Sequence, residues 1–196
     1  MKITRRTGKA AFTLIELMAV ITIIVILAGL VVGGMGFVTE RQAKEKARVQ
    51  IALLSKALEE YKLDMGTYPA TANSVDGTGK SAISLYQALF KEGYDYTNPS
   101  TPPASWTKAT KIYVADLNPV TSKQGWVTTA TTVPASTTVL DPWGKEYCYR
   151  TAVDSAGGPN SDTQNPDFDL WSMGKDGKTK PGTPSDATNR DDIKNF

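Results

Sequence analysis

The sequence predicts an α+β protein in which a long N-terminal α-helix, half transmembrane and half amphipathic, packs on a small antiparallel β-sheet. Three observations lead there. Residues 17–39 are a run of 23 uncharged positions, and at ~1.5 Å per residue such a run crosses a ~30 Å hydrocarbon core. Ala43, Ala47, Ile51, Leu54, Leu58 and Tyr61 then follow at helical steps of three and four, which is one face of a continuing helix. Nearer the C-terminus, 146–150 and 168–172 alternate as strands do.

The helix is expected over residues 13–64. Lys2, Arg5, Arg6 and Lys9 precede its apolar half with no acidic residue among them, and Glu16 is the only charge at its start. A secretory signal peptide has a shorter apolar core and no carboxylate inside it. A plain anchor, its basic end held in the cytoplasm, fits the charge distribution, but has no use for Glu16, which needs a partner if it is buried in lipid. Gly33, Gly34 and Gly36 lie where the helix leaves the bilayer, either bending it or allowing close packing. In the amphipathic half, Lys44, Glu45, Lys46, Arg48, Lys56, Glu59 and Glu60 fall on the solvated side. Gly66 and Pro69 end the helix.

Residues 84–90 read as a second helix, with Ile83, Tyr86, Leu89 and Phe90 packing back on the first. The Thr-, Pro- and Ser-rich segments 97–109 and 118–139 read as surface loops around a short strand at 112–114. Whether this region is a binding surface or a tolerated insertion is open from the sequence. Asp141-Pro142-Trp143-Gly144 is a turn, with Pro142 setting φ and Gly144 free to take a positive one. In the last strand, alternation puts Phe168, Leu170 and Ser172 on one face and Asp169 and Trp171 on the other. Cys148 reads as a packed apolar residue.

Composition removes several functions. The net charge is +2, and without the four leading basic residues it is 18 basic against 20 acidic, so no nucleic-acid surface is indicated. A single cysteine forbids an intramolecular disulfide, and the absence of histidine removes Ser-His-Asp and Cys-His catalysis and His-containing zinc sites. No phosphate loop or nucleophile motif is present. A membrane-anchored Ser-Lys enzyme is the competing reading from another class, and the expectation is that the protein is not an enzyme.

Phe12-Thr13-Leu14-Ile15-Glu16-Leu17, after a short basic leader, resembles the N-terminal signal of type IV pilins and type II secretion pseudopilins. The resemblance implies that a prepilin peptidase cuts between Ala11 and Phe12 and methylates the new amine. The family usually has glycine where this chain has Ala11, which is also small. It further implies a basic leader over 1–11, a transmembrane and assembly helix over 12–39, and a pilin-like periplasmic domain over 40–196. Glu16 would then be neutralised by the amine of Phe12 on a neighbouring subunit, since either charge alone would be costly in an apolar setting.

The run 63–69, the turn at 141–144, Ser172-Met173-Gly174-Lys175-Asp176-Gly177 and the ending Asp191-Asp192-Ile193 resemble the major pseudopilin of type II secretion. From spacing alone, the acidic C-terminal segment is better explained by an Asp-Gly turn and a solvated tail than by a metal site. The resemblance implies a calcium site with carboxylates from Asp176 and Asp191, the Met173 carbonyl and a side-chain oxygen from Asn189. Asp192 is a neighbouring candidate and Asp186 a competing ligand. The function implied is a structural subunit polymerising through its N-terminal helix into a pseudopilus that supports secretion across the outer membrane. Its partners would be copies of itself, minor pseudopilins, an inner-membrane secretion platform and the prepilin peptidase. A type IV pilin for adhesion or motility is the alternative.

Overall fold

In the computed structural model, residues 12–69, 80–91, 111–119, 123–128, 137–153, 158–183 and 185–196 are described. Ala11, the leader and segment 97–109 lie outside them. Helix α1 spans Leu14–Met65 without interruption, so the glycines at 33–36 neither melt nor break it. The amide of Gly66 donates to the Lys62 carbonyl at 2.8 Å and closes its end. The chain divides into two compact units, residues 1–42 and 43–196.

In the first unit, α1 leaves its large apolar side chains outside: Ile15, Ile21, Ile24, Leu27 and Leu30 are all exposed. The most apolar 18-residue stretch of this helix has a mean hydropathy of 2.9, long and apolar enough to cross a membrane.

The second unit has its own core. Ala47, Ile51, Leu54 and Leu58 are buried as the helical spacing predicts, while Ala43 and Tyr61 are half-buried. Gln50 is buried among them, its Oε1 accepting from the Tyr147 hydroxyl at 2.8 Å. Helix α2 spans Lys80–Tyr86 and runs into a π-helical turn, Gln87–Lys91. It starts earlier than expected and buries Leu85 along with Tyr86 and Leu89, while Ile83 and Phe90 are half-buried.

Strands β1 (Cys148–Thr151), β2 (Phe168–Ser172) and β3 (Ile193–Lys194) form an antiparallel sheet in that order. The split of faces in β2 is as its alternation predicts. Phe168 and Leu170 join Tyr147, Tyr149 and the α1 side chains in the main core, whereas Trp171 lies with Cys148 and Met173 in a second cluster. Cys148 is buried and free, and burial pushes its thiol up to about 12.

Three expectations are corrected. Residues 112–114 form no strand: the amides of Tyr113 and Val114 both donate to the Leu89 carbonyl, at 2.9 and 3.1 Å, so they tether to the π-helical turn after α2 instead of a sheet partner. The segment 118–139 is not all surface, because Trp126, Val127 and Val139 are buried in the main core. The acidic tail contains β3, where Ile193 pairs with Ser172 and Lys194 with Trp171.

Candidate functional site

The first candidate group is the start of α1. The Thr13 hydroxyl donates to Glu16 Oε2 at 2.7 Å and the Thr13 amide donates to the same oxygen at 2.9 Å. In return the Glu16 amide donates to Thr13 Oγ1 at 3.3 Å. This is a capping box, Thr-x-x-Glu, satisfying donors that the first helical turn otherwise leaves bare. The pattern is legible in the sequence, where the carboxylate points more obviously to partners outside the chain. Both bonds go to Oε2, and among the described residues no donor is recorded for Oε1. Phe12, next to this cap, is 85% exposed.

The second group surrounds the C-terminal loop, and its hub is a residue that the sequence presents only as part of a turn. Asp141 is buried. Its Oδ1 accepts from the amides of Trp143 and Lys145 at 3.0 and 2.8 Å, and its Oδ2 from the Ser172 hydroxyl at 2.5 Å. Ser172 Oγ in turn accepts from the Gly174 amide at 3.0 Å. The turn at 141–144, where Gly144 takes φ +76° as expected, is thereby bolted to the end of β2. Burial raises the Asp141 carboxyl above its usual range against the pull of these donors.

Beyond Met173 the chain turns at Gly174, with φ +63°. A Cβ there would collide with the Asp191 carbonyl and lie 2.7 Å from its Oδ2, so only glycine lets the two loop strands approach. Asp191 Oδ2 accepts from the Asp176 amide at 3.0 Å, which brings two of the expected ligand residues together. The Asp176 carboxylate caps its own turn, Oδ1 accepting from the Lys178 amide at 2.8 Å.

Asp192 is the third carboxylate of the group. The side chain is 1% exposed. Its Oδ2 accepts from the Thr179 hydroxyl at 3.0 Å, and Lys194 Nζ lies 3.7 Å away. Its Oδ1 is buried without a partner. Burial first, and then the nearby charges of Asp191 and Asp176, push its carboxyl up to about 6 although Thr179 and Lys194 oppose them.

Two residues of the expected set are engaged elsewhere. Asn189 Oδ1 accepts from the Lys180 amide at 2.7 Å, while its Nδ2 donates to the carbonyls of Lys180 and Thr183 at 3.1 and 2.8 Å. It clamps the loop. Asp186 caps the 3-10 turn Ala187–Asn189 through Thr188 and pairs with Lys180 at 2.8 Å. Among the described residues no three acidic, histidine or cysteine side chains stand close enough together to hold an ion as they are.

Comparison with known proteins places this architecture. The type II secretion system core protein G of Escherichia coli K12 is 32% identical over 186 residues, 94% of each chain. The chain belongs to the type II secretion system core protein G family. Core protein G of Klebsiella michiganensis is 31% identical, over 94% of this chain and 95% of that one. The family model for type II secretion system protein G matches residues 37–113, and that for the prokaryotic N-terminal methylation motif matches 6–32. Among solved structures, the major pseudopilin of the type 2 secretion system of enterohaemorrhagic Escherichia coli is similar with a TM-score of 0.40 at 19% identity, covering 83% of this chain and 93% of that one. Core protein G is a structural family, not a class of enzymes, and its members give no support to the type IV pilin alternative.

Proposed function

We propose that the protein is the major pseudopilin subunit of a type II secretion system, built to polymerise through the apolar half of α1. The observation that carries this is relatedness to core protein G over 94% of the chain together with a capped Glu16 at the head of the exposed half of α1, whose residues 17–39 carry no charge. In isolation the Thr13 cap holds the carboxylate. In the polymer, Oε1 takes the amine of a neighbouring Phe12, freed by a prepilin peptidase between Ala11 and Phe12 and then methylated. The match to the N-terminal methylation motif over 6–32 supports that processing. Copies would be anchored in the inner membrane with the leader cytoplasmic and the domain periplasmic, and would work with minor pseudopilins and the inner-membrane platform. Catalysis is no part of this role.

The C-terminal loop fits calcium by the chemistry of its donors. Every donor is oxygen, the three carboxylates repel one another, and a buried oxygen of Asp192 lacks a partner. Asp176, Asp191, Asp192 and the Met173 carbonyl would hold the ion, with Asn189 clamping the loop around them. A bound dication would relieve the repulsion and lock the loop to β3.

The test is intact mass of the protein extracted from membranes. The expected species lacks residues 1–11 and carries a methyl group on Phe12. A full-length, unmethylated protein would overturn the prepilin reading.

A further inference from the structure

We infer that the cleft beside β1 and β2 is a carboxylate-binding site, in which the Arg150 guanidinium holds the ligand side-on. The site lies wholly within residues 150–196 and is independent of the polymerisation proposed above.

Arg150 stands in β1 opposite Asp169 of β2 and is only 3% exposed. A guanidinium taken out of water needs its charge balanced and its donors met. Nη1 donates to the Asp162 carbonyl at 2.6 Å. Nε is buried and has no partner, and among the described residues no acceptor meets Nη2. Nor does a described carboxylate form an ion pair with Arg150. Asp169, its cross-strand neighbour, spends Oδ1 on the Asn165 amide at 2.9 Å and Oδ2 on the Gln164 amide at 2.8 Å. Burial lowers the guanidinium from its ordinary value, and the more distant charges of Asp162 and Asp169 oppose that only in part.

Nε and Nη2 lie on the same edge of a guanidinium. Together they are a two-pronged donor whose spacing matches the two oxygens of a carboxylate. The only prong in use, Nη1, points to the other side.

Arg150 lines a cleft of about 300 Å³. Its guanidinium lies 5.8 Å over the Trp171 ring, and Phe196 meets that ring edge-on at 6.3 Å. Lys194 Nζ, 5.4 Å over the Phe196 ring, brings a second cation to the same cleft. The two aromatic rings can take the methylenes of a ligand while the cations take its charge. Asp169 and Asp192 also border the cleft, and they limit that charge. A monoanion answers Arg150, whereas a doubly charged phosphate group would face both carboxylates. The ligand class is therefore a carboxylate on a short aliphatic stem. It is carried either by an acidic side chain of another polypeptide or by a free small carboxylic acid.

The test is NMR of the full chain in detergent with isotope-labelled arginine, at neutral pH and constant ionic strength. The probes are sodium acetate, N-acetylglutamate N-methylamide and inorganic phosphate. The Nε–H signal absent from Arg150→Lys is that of Arg150. Should that variant not fold, the slowest arginine Nε–H to exchange with solvent identifies it, since this Nε is buried. Both carboxylates should shift the signal saturably, chloride should leave it in place, and phosphate should bind at least about tenfold more weakly. An N-acetylglutamate N-methylamide affinity about tenfold or more above that of acetate assigns the site to an acidic side chain, and a smaller difference assigns it to a free carboxylic acid. A signal that no carboxylate moves, that chloride moves equally, or that phosphate saturates as readily would overturn the inference. Asp169 would then balance Arg150 from across the strand pair, and the pseudopilin reading would stand untouched.

Discussion

Asp141 shows how one buried carboxylate organises a loop. It accepts three hydrogen bonds, from two turn amides and from Ser172 at the end of β2. Asp141→Ala would strand all three donors in a buried place, with an expected loss of ~2–4 kcal/mol in unfolding free energy by denaturant titration. Asp141→Asn keeps an acceptor at one oxygen and should lose less. Asp186 behaves in the opposite electrostatic sense. Its bonds to Lys180 and Thr188 hold its carboxyl below the usual 3.8. A depressed folded-state value contributes stability above the unfolded value, lost as pH falls through the folded one. The melting temperature of Asp186→Asn should therefore lie below that of the wild type at neutral pH, and the gap should shrink as pH drops below 3.8. A gap that stays constant down to about pH 2 would show that the charge of Asp186 is not what its hydrogen bonds stabilise.

Among the elements, those whose residues decide locally were legible and those that depend on distant partners were not. The spacing of Ala47, Ile51, Leu54 and Leu58 is enough to define the buried face of α1, and the alternation of 168–172 is enough to define β2 and its two faces. Residues 112–114 have the composition of a strand, yet their amides find the Leu89 carbonyl before any strand edge. β3 is two residues long and polar on one side, and nothing in its own sequence distinguishes it from a tail; it exists because β2 offers an edge. Asp176 and Asp191 were readable as a pair. The commitment of Asn189 to Lys180 and Thr183, and the isolation of Asp192 Oδ1, were not, since both follow from how the loop folds over Trp171 and Thr179. The loop makes its own prediction. If it binds calcium, the full chain in detergent should melt higher in millimolar calcium than in chelator. Saturation a hundredfold above the dissociation constant is worth ~2.7 kcal/mol, or roughly 5–10 °C for a domain of this size. Asp191→Ala should abolish the difference, and identical melting in calcium and chelator would remove the site.

The whole molecule separates folding from assembly. The unit over residues 43–196 contains the main core and the sheet, whereas the described residues of the unit over 1–42 leave their large apolar side chains exposed. Stability and polymerisation are therefore expected to respond to different residues. Glu16 is the sharpest case, because its only hydrogen-bond partner among the described residues is Thr13, at the head of the exposed helix. Glu16→Ala removes the return half of the capping box, a loss of ~1 kcal/mol or less confined to the first turn. The domain should melt within about a degree of the wild type. Fibres, in contrast, should disappear. Each junction would then bury a Phe12 amine with no carboxylate opposite it, a cost of ~3–5 kcal/mol per subunit, repeated along the polymer. Glu16→Gln discriminates between the two roles, since it retains an oxygen for the Thr13 cap but lacks the charge. A Glu16→Gln chain that assembles normally would assign Glu16 to capping alone; one that folds, stays in the membrane and forms no fibre would assign it to the junction.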